Sequence, residues 1–126
     1  MENAKDTEVF VDIKGYPSYQ ISNMGRVWSC KRNRYMIPQI NNRGYSQIKL
    51  IAANGKRKGE LVHRLVALHF VPNPEGKPEV NHKNHIRDDN RAENLEWLTK
   101  SENNSDKLPY KHSDNWHIKR RLNSNK

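Results

Sequence analysis

Residues 79–103 read EVNHKNHIRDDNRAENLEWLTKSEN, and they dominate the interpretation of this chain. The stretch places His82 and several asparagines around the short apolar run Leu95–Leu98. Histidine is the side chain best suited to accept a proton near neutral pH, and amide and carboxylate oxygens suit a hard divalent cation. One base beside one oxygen-ligated metal ion is a compact arrangement for hydrolysing a phosphodiester.

Local patterns in this stretch predict a strand, an irregular loop, a second strand and a helix. In order, these segments are Pro78–His82, Lys83–Glu93, Leu95–Leu98 and a helix from about Lys100 to Lys107. The helix start is marked by a capping box, in which the side chains of Thr99 and Glu102 each bond the other residue's backbone N–H.

The residues that precede this stretch predict short strands and then one helix. Alternation and turn signals indicate strands at Tyr19–Ser22, Arg26–Cys30, Tyr35–Ile37 and Tyr45–Ile51, the first two forming a hairpin. Apolar residues recur at helical spacing from Leu61 to Val71, which predicts a helix. The expected fold class is therefore α+β, with a small N-terminal antiparallel β module followed by a helix and the strand–strand–helix unit.

Composition limits the possible functions. The chain has 126 residues, 33% hydrophobic content, a mean hydropathy of −1.12 and a formal net charge of +9, which together favour a modest core and a polyanionic partner. The single cysteine, Cys30, excludes an intrachain disulfide and a cysteine-based zinc site, and we expect it half-buried in a strand. The polar N-terminus carries no visible signal peptide, and no apolar run approaches membrane-spanning length.

Every charged residue from Arg26 to Lys58 is basic. On a small sheet with turns, such a run predicts a basic surface suited to DNA phosphates. We refer to these residues as the basic surface: Arg26, Lys31, Arg32, Arg34, Arg43, Lys49, Lys56, Arg57 and Lys58. The C-terminal tail from residue 108 is also basic, which suits either an arm for the DNA backbone or a disordered end.

Motifs in both halves of the chain resemble HNH homing endonucleases of phages and introns. The C-terminal half shares with their ββα-metal core the motifs His63–Ala67, Val80–His82, Asn94–Trp97, Thr99 and Asn103. The N-terminal half resembles the modular DNA-binding motif that often precedes such domains, at Asp12–Gly15, Tyr19–Asn23 and Gly25–Val27. The resemblance covers roughly residues 10 to 106. It implies a β-rich DNA-binding module at 1–60, an HNH domain at 61–107 and a tail at 108–126.

The resemblance assigns roles to residues of the motif. His82 matches the general base, while Asn81 and Asn103 match the ligands of a divalent metal ion, Mg²⁺ or Mn²⁺. Asparagine stands at position 81 where the family commonly has aspartate. Because amide oxygens bind a divalent cation less strongly than a carboxylate, we expect weak metal affinity without DNA, and Asn81→Asp is expected to tighten it.

Further residues have supporting roles or alternatives. Arg64 is the candidate to clamp the scissile phosphate, and His63 to contact phosphate or support His82. Asn94 matches the asparagine that braces the active-site loop and orients His82, while Asn90 is expected to be structural. If the alignment with the family motif is shifted, the alternative metal ligands are the nearby carboxylates of Asp88 and Asp89 and the amide of Asn104. Zinc is disfavoured because no cysteine pairs accompany the histidines.

The sequence therefore predicts a metal-dependent DNA endonuclease of the HNH type, nicking and homing-like, from a phage or mobile element. It would act as a monomer or weak dimer on duplex DNA in the cytoplasm of a bacterial host, away from membranes. Three alternatives stay open: a catalytically weak or inactive DNA-binding protein, a nuclease for RNA or structured nucleic acid, and a structural partner of phage packaging machinery.

Overall fold

The computed structural model describes residues 7–106. Its strands are β1 Phe10–Ile13, β2 Tyr16–Ser22, β3 Val27–Ser29, β4 Arg34–Tyr35, β5 Gln39–Ile40, β6 Ser46–Ile51, β7 Arg57–Leu61, β8 Glu79–His82 and β9 Leu95–Leu98. The helices are α1 Val62–Phe70 and α2 Lys100–Asp106, and a short 3-10 turn spans Ala92–Asn94. The tail at 108–126 and the expected helix end at Lys107 lie outside the described residues.

The first sheet is antiparallel with the strand order β1-β2-β3-β4, and it contains the predicted hairpin β2–β3. Cys30 contradicts the expectation of a half-buried strand residue, because it is exposed and follows the end of β3. The strand stops at Ser29, whose hydroxyl accepts a hydrogen bond from the backbone N–H of Arg32 at 3.2 Å. This bond draws the chain into a turn, and the side chain of Cys30 is left in solvent.

A second antiparallel sheet, ordered β5-β6-β7, divides the basic surface between two sheets where one was expected. Pro38 lies between β4 and β5 and cannot donate to a strand ladder, which is one reason that the first sheet ends there. Strand β7 pairs with β6 along its whole length, from Gln47 opposite Leu61 to Ile51 opposite Arg57. It then passes into α1 with no loop, since Leu61 ends the strand and Val62 begins the helix.

Helix α1 lies at the centre of the structure and contacts strands of all three sheets. Its apolar face is fully buried, with Val62 and Val66 at 0% exposure and Leu65 at 3%. The predicted helix is confirmed to within one residue at each end. The buried apolar side chains that surround it form one cluster, which runs from Ile13 in β1 to Trp97 in β9.

The last sheet is the antiparallel pair β8–β9, which α2 packs against. The predicted capping box is confirmed: the N–H of Glu102 donates to the Thr99 hydroxyl at 3.1 Å, and the N–H of Thr99 donates to the Glu102 carboxylate at 2.9 Å. The N-terminal hairpin reaches this unit through its turn, because the N–H of Ala92 donates to the carbonyl of Asn23 at 2.7 Å.

Candidate active site

The site lies at the end of β8, where the two faces of the strand carry different chemistry. Side chains alternate along a strand, so Glu79 and Asn81 share one face and His82 points to the other. Glu96 lies directly opposite Asn81 in the register and therefore joins the Glu79 face, against which α2 brings Asn103.

His82 is buried and held in one orientation. Its exposure is 4%, and its Nε2 lies 2.9 Å from Oδ1 of Asn90. An amide oxygen only accepts hydrogen bonds, so the neutral ring carries its proton on Nε2, and Nδ1 is the basic nitrogen. The rings of His63 and Tyr45 pack beside it, with centroids at 4.8 and 5.9 Å.

Burial lowers the pKa of His82 below its ordinary value of 6.5. The hydrogen bond with Asn90 and the negative charges of Asp89 and Asp88 act in the opposite direction, and the positive charge of Arg87 lowers the pKa further. Because the lowered pKa keeps the ring neutral at pH 7, His82 is ready to accept a proton.

The two expected metal ligands are buried asparagines whose amide nitrogens are already bound. Nδ2 of Asn81 donates to Oε2 of Glu96 at 2.9 Å, and Nδ2 of Asn103 donates to Oε1 of Glu79 at 2.7 Å. Oδ1 of Asn103 is buried and has no hydrogen-bond partner among the described residues. An oxygen without a donor suits a hard cation, so the arrangement fits a divalent metal ion.

The carboxylates nearest the ligands differ from those expected. Asp89 is bound by the guanidinium of Arg91 and by the amide of Asn84, both at 2.8 Å, and the contact with Arg91 lowers the pKa of Asp89. The carboxylates that contact Asn81 and Asn103 are instead Glu96 and Glu79. The sequence did carry a signal for Glu79, which stands two positions before Asn81 and thus on the same strand face.

Asn94 braces the active-site loop through backbone groups, as its match to the family implied. Its Oδ1 accepts from the N–H of Asn84 at 3.1 Å, and its Nδ2 donates to the carbonyl of Asp89 at 2.9 Å. The ring of His82 forms its hydrogen bond with Asn90. Asn94, which was expected to orient His82, instead bonds the backbone of the loop.

The backbone of the loop is left-handed at His85, a conformation that favours glycine. His85 adopts a φ of 64°, in the left-handed region that glycine enters freely and that histidine enters more often than most residues. Its N–H donates to the carbonyl of His82 at 2.9 Å, which turns the chain directly after the proposed base.

Arg64 is anchored beside β8 and β9. Its Nη1 donates to the carbonyl of Pro78 at 3.1 Å, and its guanidinium lies 5.6 Å from the ring centroid of Trp97. The side chain is partly exposed, which keeps the guanidinium accessible to an anion. These contacts place it near the beginning of β8, whereas His82 ends that strand.

All members of the basic surface are exposed in the structure. Arg26 forms an ion pair, with its Nη2 2.7 Å from the Glu8 carboxylate, and its guanidinium lies 4.1 Å from the ring centroid of Tyr35. Arg43 lies in the turn before β6, and its carbonyl accepts a hydrogen bond from Arg87 of the active-site loop. The second sheet therefore contacts the loop that carries the site.

Two features of the described residues concern metal binding and membranes. Between residues 7 and 106, no group of three or more His, Cys, Asp or Glu side chains is arranged to hold a metal ion. Over the same range, the structure contains no helix of the length and hydropathy needed to cross a membrane.

Two family models match the chain in order: a NUMOD4 motif at residues 8–51 and an HNH endonuclease domain at residues 60–105. The DNA endonuclease I-HmuI of Bacillus phage SP01 is 44% identical over 93 residues, which cover 73% of this chain and 53% of the relative. An uncharacterized HNH endonuclease of Acanthamoeba polyphaga mimivirus is 41% identical over 104 residues, covering 79% of this chain and 26% of the relative.

A solved structure that describes DNA binding and cleavage by the HNH homing endonuclease I-HmuI matches this chain with a TM-score of 0.73 and 38% identity. The match covers 91% of this chain and 68% of that chain. Against the curated sequences, the chain spans about half of the SP01 enzyme and about a quarter of the mimivirus protein. The two family regions in order and the shared fold confirm that the chain belongs to the HNH homing endonucleases, with a NUMOD4 motif before the HNH domain.

Proposed function

We propose that this chain is a metal-dependent DNA endonuclease that hydrolyses one phosphodiester bond per encounter. The observation that carries the proposal is the buried, neutral His82, whose Nε2 is bound to Asn90 while Asn81 and Asn103 lie on the opposite strand face. Because His82 and Asn81 leave β8 on different faces, and α2 brings Asn103 to the Asn81 face, the scissile phosphate would lie across the end of that strand.

In the proposed reaction, Nδ1 of His82 takes a proton from a water molecule, and the resulting hydroxide attacks phosphorus as the bond to the leaving oxygen breaks. A divalent cation, Mg²⁺ or Mn²⁺, held by the oxygens of Asn81 and Asn103 would neutralise negative charge on the phosphate. Arg64 would hold a neighbouring phosphate oxygen, since its guanidinium stays charged and partly exposed. His63 would support the ring of His82 by packing.

The partner is proposed to be duplex DNA, held largely through phosphates on the basic surface. I-HmuI is described as a DNA-binding and DNA-cleaving enzyme, and the likeness to it supports this choice. One base and one ligand pair provide one cut, so a monomer would nick a single strand per encounter, and cutting both strands would require two protomers or two encounters. The proposed place of action is the interior of a bacterial host, because phage enzymes are among the relatives. The proposed division of the chain stays at 1–60, 61–107 and 108–126.

Nicking of supercoiled plasmid with Mg²⁺, Mn²⁺ or EDTA tests the proposal directly. Wild type should nick with metal and stop with EDTA, and His82→Ala should reduce the rate by about 10²- to 10⁴-fold, the range expected for a general base. The matched control is His69→Ala, since His69 bonds the backbone of Lys14 and Leu65 away from the site.

Two results would contradict the proposal. Tight duplex binding without nicking under any metal would favour the inactive DNA-binding protein. Faster cleavage of RNA or single strands than of duplex, in the same assay, would assign a different substrate.

A further inference from the structure

We propose that Glu79 and Glu96 are positioning residues that fix which end of the Asn103 and Asn81 amides faces the metal ion. The inference rests on the proposed function, because it concerns ligands of that same site. It gives a role to two carboxylates that the proposed reaction does not otherwise use.

The geometry is the same in both pairs. Asn81 is 5% exposed and donates from Nδ2 to Glu96 at 2.9 Å, while Asn103 is 4% exposed and donates from Nδ2 to Glu79 at 2.7 Å. The partners come from different elements in each case: β8 with β9, and α2 with β8. Two independent contacts therefore produce the same orientation of a buried amide.

An asparagine amide has a donor end and an acceptor end of nearly equal size, so its oxygen must be directed if it is to serve as a ligand. An ionised carboxylate only accepts hydrogen bonds. A flipped amide would place Oδ1 against a negative oxygen at hydrogen-bond distance, which is repulsive. The carboxylate therefore binds the NH₂ group and directs the amide oxygen away from itself. This agrees with Oδ1 of Asn103, which is buried and accepts no hydrogen bond among the described residues.

The same contact strengthens the ligand. A hydrogen bond to an anion shifts electron density in the amide toward its oxygen, and partners behind a metal ligand commonly change metal affinity by about 10- to 100-fold. The site thus obtains negative charge from residues behind its neutral ligands, where many family members have an aspartate in contact with the metal.

This arrangement distinguishes asparagine from aspartate at position 81. An aspartate needs no orientation, because both of its terminal atoms are oxygens. It would face the carboxylate of Glu96 at the distance now occupied by a hydrogen bond, and a bound cation would relieve the repulsion between the two charges. Asn81→Asp should therefore bind metal without needing Glu96 to orient its side chain.

A four-member cycle tests the proposal: Glu96→Gln and Asn81→Asp, each alone and both together, compared with the parent. All four are made with His82→Ala, so that Mn²⁺ binding to the protein with duplex DNA is measured by electron paramagnetic resonance without cleavage. With Asn81 present, Glu96→Gln should raise the Kd for Mn²⁺ about tenfold, because glutamine accepts either amide orientation. In the Asn81→Asp background, the same change should alter the Kd much less, because an aspartate presents an oxygen to the metal in either orientation.

The dependence of the effect on residue 81 is the decisive readout, because a merely structural or purely electrostatic role of Glu96 would change the Kd by the same factor in both backgrounds. Glu75→Gln, an exposed loop change of equal charge, is the matched control and should leave the Kd unchanged. Thermal unfolding of each variant checks folding, and Glu79→Gln with Asn103→Asp repeats the cycle on α2.

The possible failures are distinguishable. If the parent binds Mn²⁺ and the wild type nicks, but Glu96→Gln changes the Kd by the same factor in both backgrounds or leaves it within twofold in the parent, the positioning role is overturned and the proposed function stands. If the wild type neither nicks nor responds to metal, both are overturned.

Discussion

The candidate active site at the end of β8 and the basic surface satisfy their polar groups in opposite ways. Around His82, Asn81 and Asn103, the side chains are buried and each makes a directed hydrogen bond. On the basic surface, the side chains are exposed to solvent, and one member, Arg26, forms an ion pair with Glu8. The first region controls the direction of single atoms, whereas the second accumulates charge.

This difference follows from what each region has to recognise. Proton transfer and metal ligation depend on the position of one nitrogen or oxygen, so the neighbouring groups must be fixed before the substrate arrives. Attraction to a polyanion depends mainly on the number of charges near the phosphates. We therefore expect the site to respond to single small changes and the basic surface to respond to the sum of several.

The largest expected effect comes from Gly25→Ala compared with Gly55→Ala. Both glycines have a positive φ, near 90°, so both substitutions are strained. A Cβ at Gly25 would also lie 3.0 Å from Cβ of Asn90, whereas at Gly55 it meets nothing within 4 Å. Displacing Asn90 misplaces His82, so Gly25→Ala should lower the nicking rate about 100-fold. If both variants fold and their nicking rates are equal, the coupling of Gly25 to His82 through Asn90 is refuted.

The second prediction concerns the triple variant Lys56→Gln, Arg57→Gln and Lys58→Gln. If each residue neutralises one phosphate, the slope of log affinity against log salt should fall by about 2.7. Between 50 and 200 mM salt, the variant should then lose roughly 40-fold less affinity than the wild type. Fluorescence anisotropy with labelled duplex measures this, and Lys14→Gln, outside the run, is the control. An unchanged slope would show that these cations do not contact phosphates.

A smaller effect is expected at the start of α2. Thr99→Ala removes the hydroxyl that accepts from the N–H of Glu102, and loss of such a cap costs about 1 kcal/mol of unfolding free energy. Ser101→Ala, an exposed change in the same helical turn, should leave the unfolding free energy nearly unchanged. Urea denaturation compares the two. Equal stability of both variants would mean that the cap contributes little here.

The smallest effect is a shift in the pH profile. Burial lowers the pKa of His82 below 6.5, so its Nδ1 is free of a proton at lower pH than in an exposed histidine. The rate constant kcat/KM for nicking, measured at limiting DNA, reports the free enzyme and should therefore rise with pH to a midpoint below 6.5. The same shift should reduce stability as the pH falls below 6.5, because the unfolded chain then binds the proton more readily. A midpoint at or above 6.5 would contradict the burial argument.

Segments with strong local signals were predicted correctly. Helix α1, strand β9 and the capping box at Thr99 depend on periodicity and on residues three or four positions apart, which the sequence displays directly. Strand β7 was not identified, since its residues Arg57–Leu61 are mostly polar and include a glycine. It is a strand because β6 supplies its hydrogen-bond partners, and that pairing is a tertiary contact.

The site divides in the same way. The motif led to His82, Asn81 and Asn103, and their assigned roles stay predictions. The contacts of Glu96 and Glu79 with the asparagines were missed, because they depend on the register of β8 with β9 and on where α2 packs. Asn90 was expected only to be structural, and the loop geometry places its amide oxygen 2.9 Å from Nε2 of His82.

The pairing of β6 with β7 crosses the boundary between the two family matches. The matched NUMOD4 motif ends at residue 51 with β6, and the matched HNH domain begins at residue 60 within β7. A recombination crossover between the two motifs would therefore separate neighbouring strands of one sheet. At Gly59, an added Cβ would lie 2.7 Å from Nε2 of Gln47, the end of a flexible side chain, so a larger residue there requires only that Gln47 move. We therefore expect exchanged modules to be limited by the backbone pairing of these two strands more than by the residue at position 59.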